Sequence, residues 1–210
     1  MYLQVTRYLL KNYKYSMTKK EKVGESVQYL LNFSDIMDKR LEEDRDNWKN
    51  WTIDDIEMIL TQASCFNIAL VATRMTNKPD DVTSIDVWNK HAGIEIRKAA
   101  INHGHLYIFS YFKKALENDG SVNNREVIKN LCMLFGTSII LKNSLPIIEG
   151  GFITPDQISA LKNFKELLLE HIRPHIISIL DSFMIPDNFI NSALIHGDPY
   201  DVPIYQFRTI

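Results

Sequence analysis

The residues best suited to chemistry in this 210-residue chain are four of its six histidines, two groups of neighbouring carboxylates and two cysteines. His103 and His105 could bind a metal only if both faced one ion, but on a helix residues two apart point roughly 200° apart around the axis. They are therefore expected to face different neighbours. His171 and His175 are four apart, the spacing that zinc-binding helices use, yet Glu170 precedes the first histidine instead of following it and Pro174 distorts the intervening turn. No metal site is expected.

Asp54 with Asp55, and Glu42, Glu43 and Asp44, supply paired carboxylates, but a catalytic pair needs one member desolvated to raise its pKa. These fall at a helix start and in a polar stretch, where capping and solvation account for them. Cys65 and Cys132 lie within apolar helical patterns and have no neighbouring base, so they read as small buried hydrophobes, neither nucleophiles nor a disulfide framework. No Gly-x-Ser-x-Gly elbow accompanies the serines. The aromatic runs Tyr107, Phe109, Tyr111, Phe112 and Tyr2, Tyr8, Tyr13, Tyr15 suit a core or an interface.

The elements that must hold these residues are helical throughout. Apolar residues recur at three-and-four spacing, and the alternating pattern of strands is missing. Six helices are predicted. The first covers Tyr2 to Tyr13, with Tyr2, Val5, Leu9 and Tyr13 along one side and no capping residue before it. A short one spans Gly24 to Asn32, followed by a charged, poorly patterned surface stretch from Asp35 to Asn50. Thr52 with Asp55 caps the third, whose Ile56, Ile59, Leu60, Ala63, Phe66 and Leu70 form a buried face ending before Asn77 and Pro79. Ser84 is expected to cap a long fourth helix to Asn118, closed by Asp119 and Gly120. A fifth runs from Asn124 to Lys142 and ends at Asn143 and Pro146. Thr154, Pro155 and Gln157 spell a capping box for the sixth, which carries Ile158, Leu161, Leu168 and Ile172 to an interruption at Pro174.

Composition fits an ordinary soluble globular domain, 45% hydrophobic and 24% charged. A net charge of -2, from 24 basic and 26 acidic residues, leaves no footprint for nucleic acid, and Lys19, Lys20 and Lys22 read as a solvated loop. No stretch approaches eighteen uninterrupted apolar residues, and the N-terminus lacks a signal-peptide pattern, so no membrane span and a reducing, non-secretory compartment are expected. There is no glycine-rich phosphate loop.

Several blocks, in order, resemble the C-terminal part of peroxisomal acyl-CoA oxidases. Met1 to Tyr13, MYLQVTRYLLKNY, resembles a family helix written M-x-L-Q-x-A-R-x-L-M-K. Ile101 to Phe109, INHGHLYIF, resembles an Ala-x-His-x-His-Tyr-Val segment, Asn130 to Gly136 a Leu-Cys-Leu-Leu-Tyr stretch, and Glu149 to Thr154 a loop before a capped helix. His171 to Leu194 resembles L-I-R-P-x-A-V-x-L-V-D-A-F-x-x-P-D-x-x-L-N-S-x-L; within it Arg173, Pro174, Asp181, Pro186 and Asp187 suggest a kink, an internal ion pair and a turn.

The resemblance implies an all-α helical bundle, with residues 1–14 as the last helix of an acyl-CoA dehydrogenase-like domain and 15–210 as the oxidase C-terminal domain. It further implies a homodimeric enzyme that uses FAD to oxidise fatty acyl-CoA and passes the electrons to oxygen. The family's catalytic glutamate, in a Tyr-Glu-Gly-Glu-Asn block, would fall just upstream of Met1, so no catalytic residue is expected here and no flavin contact is assigned. This chain alone is expected to be inactive and to hold no FAD tightly. Its expected partners are a second copy or an acyl-CoA oxidase subunit, and fatty acyl-CoA only in a full-length context. The family's Gly-Arg-Tyr-Asp-Gly-Asn-Val-Tyr run is replaced by Ile195 to Val202, and the chain stops at Arg208, Thr209, Ile210 without a Ser-Lys-Leu type of signal. A peroxisomal location follows from the family, while the tail leaves the cytosol open.

Overall fold

The computed structural model describes residues 1–18, 23–118 and 124–184, and every described regular element is helical. It divides into two compact units, Met1–His171 and Ile172–Ile210. The first contains α1 (Tyr2–Thr18), α2 (Phe33–Asp38), α3 (Ile53–Thr76), α4 (Ser84–Asp86), α5 (Gly93–Asn118), α6 (Arg125–Lys142), α7 (Ser144–Glu149) and nearly all of α8 (Pro155–Ile172). In the second, the 3₁₀ turn Arg173–His175 leads into α9 (Ile176–Asp181), as expected where Pro174 removes a backbone donor. Arg173 and Asp181 are both exposed and do not pair with each other, and Asp187 lies outside the described residues.

The first unit is organised around α3. Its start is the capping box read from the sequence: the Thr52 Oγ1 accepts from the Asp55 N–H at 3.2 Å, and the Asp55 carboxylate accepts from the Thr52 N–H at 2.9 Å. Gln62, Ala63, Ser64 and Cys65 are four consecutive buried residues, so α3 is covered on every side and not along one stripe. By length and mean hydropathy it could cross a membrane, although its apolar run is not uninterrupted; over half of its most apolar eighteen-residue window is buried among its neighbours.

Two apolar clusters meet α3 at its two ends. Ile56, Ile59 and Leu60 pack with Leu106, Phe109, Met133, Ile140 and Leu161, whereas Cys65, Ile68 and Val71 pack with Leu9, Leu30, Ile96 and Ala99. The N-terminal half of α3 thus shares a cluster with the C-terminal half of α5, which makes the two helices antiparallel. Gly136 on α6 lies at their crossing, where an added Cβ would come within 2.3 Å of Ile56 and 2.5 Å of the Phe109 ring.

Four expectations need correction. The first helix runs to Thr18, past Tyr13, and buries Thr6, Leu9, Asn12 and Ser16, leaving Tyr2 exposed. The short helix expected from Gly24 to Asn32 is present as a 3₁₀ helix (Glu25–Asn32), and the stretch from Asp35 to Asn50 does lie at the surface but carries the end of α2 and the short turns Glu43–Asp46 and Trp48–Asn50 where a loop was expected. Gln62 donates to the Ile36 and Lys39 carbonyls at 3.0 and 2.9 Å, and the Trp51 indole donates to the Arg45 carbonyl at 3.0 Å. The chain is held there by backbone acceptors, and no periodicity signals those.

The predicted fourth helix is broken. Thr83, one residue before the expected cap, accepts from the Asp86 N–H at 3.2 Å, and a π-helical turn (Val87–His91) precedes α5. Val87 and Ala92 are both buried, yet residues five apart on an α-helix point roughly 140° away from each other. The wider turn, with Ala92 N–H bonded to the Val87 carbonyl, brings both to the core. Finally, Pro146 does not end a helix: Asn143 ends α6, and Pro146 sits in the first turn of α7, where its missing N–H has no intrahelical partner to lose. The Thr154 and Gln157 box is present with both bonds at 3.1 Å. Lys19, Lys20, Lys22, Asp119, Gly120, Pro186, Asp187 and the tail to Ile210 lie outside the described residues.

Gly136→Ala should destabilise the protein by about 1–3 kcal/mol, because Ile56 and Phe109 are themselves buried and the site is overfilled. Gly104→Ala should be neutral or stabilising by up to ~1 kcal/mol, since nothing lies within 4 Å of the added carbon and alanine is the better helix former. Urea unfolding of the two variants checks both signs.

Candidate functional site

One polar group gathers around the middle of α3, and of its members the sequence had singled out His103. Tyr29, from the 3₁₀ helix, has its hydroxyl 2.9 Å from Ser64 Oγ on α3 and 3.1 Å from His103 Nδ1 on α5. Ser64 is fully buried and His103 is 9% exposed. Burial pushes the Tyr29 phenol well above its ordinary range and holds the His103 imidazole below its ordinary value, so both are neutral at pH 7.

Glu57 lies about two helical turns before Ser64. Its carboxylate accepts from Ser110 Oγ at 2.7 Å and from Lys113 Nζ at 2.6 Å, and Lys113 also meets Asp54. Burial works against the Lys113 charge, but the two carboxylates outweigh it and raise the pKa of the ammonium. A cleft of about 200 Å³ lies between the two groups, with Tyr29, Glu57, Ser110 and Tyr111 in its lining. It lies beside a longer groove that shares Ser26 and Tyr107 with it.

This arrangement ties the 3₁₀ helix to α3 and α5. The Ser64 hydroxyl faces a phenol and no base, and none of the hydrogen bonds made by His103 is to a carboxylate that would orient it for proton transfer. His105 differs. It is half-buried, its Nδ1 has no partner among the described residues, and burial together with the Lys142 charge lowers its pKa.

His103 and His105 do face different surroundings, as expected. His171 ends the first unit and His175 lies in the second, both exposed, and among the described residues no three of His, Cys, Asp or Glu gather as a metal would require. Asp55 is a cap and also pairs with Arg45 at 2.8 Å, while Asp44 and Glu42 meet the same guanidinium at 2.6 and 3.5 Å. Both thiols are free and fully buried, with burial pushing Cys65 up to about 12 and Cys132 up to about 11. The aromatic run divides: Phe109 is core, whereas Tyr107 and Tyr111 are exposed and stack on each other with centroids 4.5 Å apart.

Sequence reading missed Tyr29, Ser64 and Glu57. Ser64 and Glu57 sit at interior positions of an apolar helix, and a polar residue there is the signal that could have found them, because a buried polar group needs a partner.

A hollow of about 750 Å³ lies at the other end of α3, bounded by Arg74, Lys78, His91, Glu95 and Lys98. Arg74 pairs with Glu95 at 3.0 Å and Lys78 donates to the Val82 carbonyl at 3.1 Å. Asn67 is buried in its wall and leaves its amide oxygen unpaired.

Comparison with known proteins identifies this helical architecture. Residues 52–200 match the family model described as acyl-CoA oxidase, and the chain belongs to that family. It is 32% identical to mouse peroxisomal acyl-coenzyme A oxidase 2 over 126 residues, covering 60% of this chain and 18% of that protein. It is 24% identical to Arabidopsis thaliana peroxisomal acyl-coenzyme A oxidase 1 over 209 residues, covering 97% of this chain and 29% of that protein. The fold matches the structure of Arabidopsis acyl-CoA oxidase 1 with a TM-score of 0.81 over 92% of this chain and 29% of that one, at 22% identity. An acyl-CoA oxidase from tomato gives 0.79 over 89% and 28%, at 21% identity. The chain therefore spans less than a third of each of these relatives.

Two measurements check the site. The depressed pKa of His103 means that the folded state resists protonation there: the associated stability is present above the unfolded value near 6.5 and is lost as pH falls through the folded value. The unfolding free energy should drop less between pH 7.5 and pH 5.5 in His103→Asn than in the parent protein. Separately, neither cysteine should react with a thiol reagent in the native protein at pH 8, and both should react once it is unfolded in urea.

Proposed function

We propose that this chain is the C-terminal helical part of an FAD-dependent acyl-CoA oxidase, which converts acyl-CoA and O₂ to trans-2-enoyl-CoA and H₂O₂ in peroxisomal fatty-acid β-oxidation. The observation that carries the reading is the family match over residues 52–200. In this reading residues 1–14 close an acyl-CoA dehydrogenase-like domain and residues 15–210 form the oxidase C-terminal domain. Relatives named as peroxisomal support that compartment. The substrate is an acyl-CoA in the assembled enzyme, and the role of this chain is packing and pairing.

The isolated chain is read as inactive. Removing a proton from an acyl α-carbon needs a positioned base and an electron acceptor, and a bound flavin supplies the acceptor. The two hollows that adjoin α3 offer a flavin no ready seat. The cleft beside Tyr29, at about 200 Å³, is smaller than the ~300 Å³ at which ligand pockets begin. In the roomier hollow Arg74 is already held by Glu95, and Lys78 by the Val82 carbonyl.

A second reading, a binding protein that pairs with itself or with an oxidase subunit and has no activity, is favoured by the exposed Ile94, Tyr107, Ile108 and Tyr111 along α5.

The isolated chain supplied with FAD and palmitoyl-CoA should release no peroxide. The same chain grafted in place of the corresponding region of Arabidopsis acyl-CoA oxidase 1 should keep its flavin and form peroxide. Peroxide from the isolated chain, or a graft that folds without flavin, would overturn the first reading.

A further inference from the structure

Two hollows adjoin on the first unit. The one of about 750 Å³ at the C-terminal end of α3 and another of about 450 Å³, between α5 and the turn from α6 into α7, share Lys98 and Pro146 in their linings. Their polar groups are sorted by charge. Arg97, Lys98 and Lys142 line the smaller hollow, and among the described residues no acidic group does. None of the three pairs with a carboxylate among the described residues. In a chain whose net charge is -2, this is a local excess of positive charge with nothing beside it to offset it.

The larger hollow supplies acceptors. Its Arg74 and Lys78 are engaged by Glu95 and by the Val82 carbonyl, while Glu149 in its wall is in no ion pair among the described residues. Asn67 lines the same hollow and is fully buried. Its Nδ2 donates to the Ala63 carbonyl, one turn back on α3, at 2.7 Å. That bond fixes the amide, because only the nitrogen can donate. The Oδ1 is therefore an acceptor, and it has no partner among the described residues. A buried acceptor in the wall of a hollow calls for a donor from what the hollow holds.

We propose that the two hollows form one binding site for a phosphate monoester of hexose size, its phosphate held by Arg97, Lys98 and Lys142 and one of its hydroxyls donating to Asn67 Oδ1. A phosphate monoester carries about −1.5 to −2 charges at pH 7, which an arginine and two lysines match better than they match the single charge of a carboxylate. The hydroxyls are the donors that Asn67 and Glu149 lack. Each hollow lies within the range of ~300–1,000 Å³ usual for ligand pockets. The site requires neither flavin nor acyl-CoA, so it stands or falls independently of the oxidase reading.

The test is calorimetric titration of the 210-residue chain with glucose 6-phosphate, inorganic phosphate and glucose at one fixed ionic strength. Glucose 6-phosphate should bind with a Kd below about 1 mM and about tenfold more tightly than either of the other two. Lys98→Glu and Lys142→Glu should each weaken it about tenfold. Lys14→Glu, the same charge change on an exposed α1 residue that lines neither hollow, should leave it unchanged. Asn67→Leu should weaken it about fivefold without lowering the melting temperature, because it removes an acceptor that has no partner within the chain. Three results would each overturn the site: no saturable binding of glucose 6-phosphate up to about 10 mM, inorganic phosphate binding equally well, or an unchanged affinity in Lys98→Glu and Asn67→Leu.

Discussion

The structure depends on α3 being buried along most of its length while carrying polar groups of which most are paired, the amide oxygens of Gln62 and Asn67 being left without a partner among the described residues. An apolar helix of this length would accept many packing arrangements, because burial is non-directional. Its polar residues remove that freedom. Asp55 takes Arg45, Glu57 takes Ser110 and Lys113, Gln62 takes the carbonyls of Ile36 and Lys39, and Ser64 takes Tyr29. Each bond reaches a different part of the chain, so one helix sets the position of the segment after α2, the 3₁₀ helix and α5. A misplaced neighbour would strand a buried donor or acceptor, at a cost of ~1–3 kcal/mol per group.

The same economy explains the surfaces. Inside, glycine appears where two helices meet an aromatic ring, at Gly136, and a π turn appears where two residues five apart must both be buried, at Val87 and Ala92. Outside, the apolar side chains of α5 that lack an internal partner, such as Ile94 and Ile108, line the face away from α3. For a family whose relatives are more than three times as long as the matched region, such a face is the expected mark of a domain that completes its burial against other parts.

Much of this was legible in the sequence because capping is local chemistry. Thr52 with Asp55, and Thr154 with Gln157, announce helix starts through bonds between residues three apart, and both boxes formed. The errors came from long-range demands. Nothing near residue 87 signals a π turn, whose cause is a core shared with Leu9 and Ile68. Nothing within residues 35–50 reveals that Gln62 and Asp55 will hold that stretch in place. The cap expected at Ser84 falls one residue earlier because threonine and serine stand side by side and either can cap. The site was less legible than the fold: His103 and His105 were correctly separated by helical geometry, while the Tyr29 contact joins residues 74 apart.

The family match spans residues 52–200, and on the proposed reading the chemistry belongs to residues outside this sequence. The most direct test is to sequence the 5′ end of the transcript. The expected result is an open reading frame continuing upstream of the Met1 codon, with a Tyr-Glu-Gly-Glu-Asn block immediately before it. An in-frame stop codon or an unrelated leader at that point would contradict the reading.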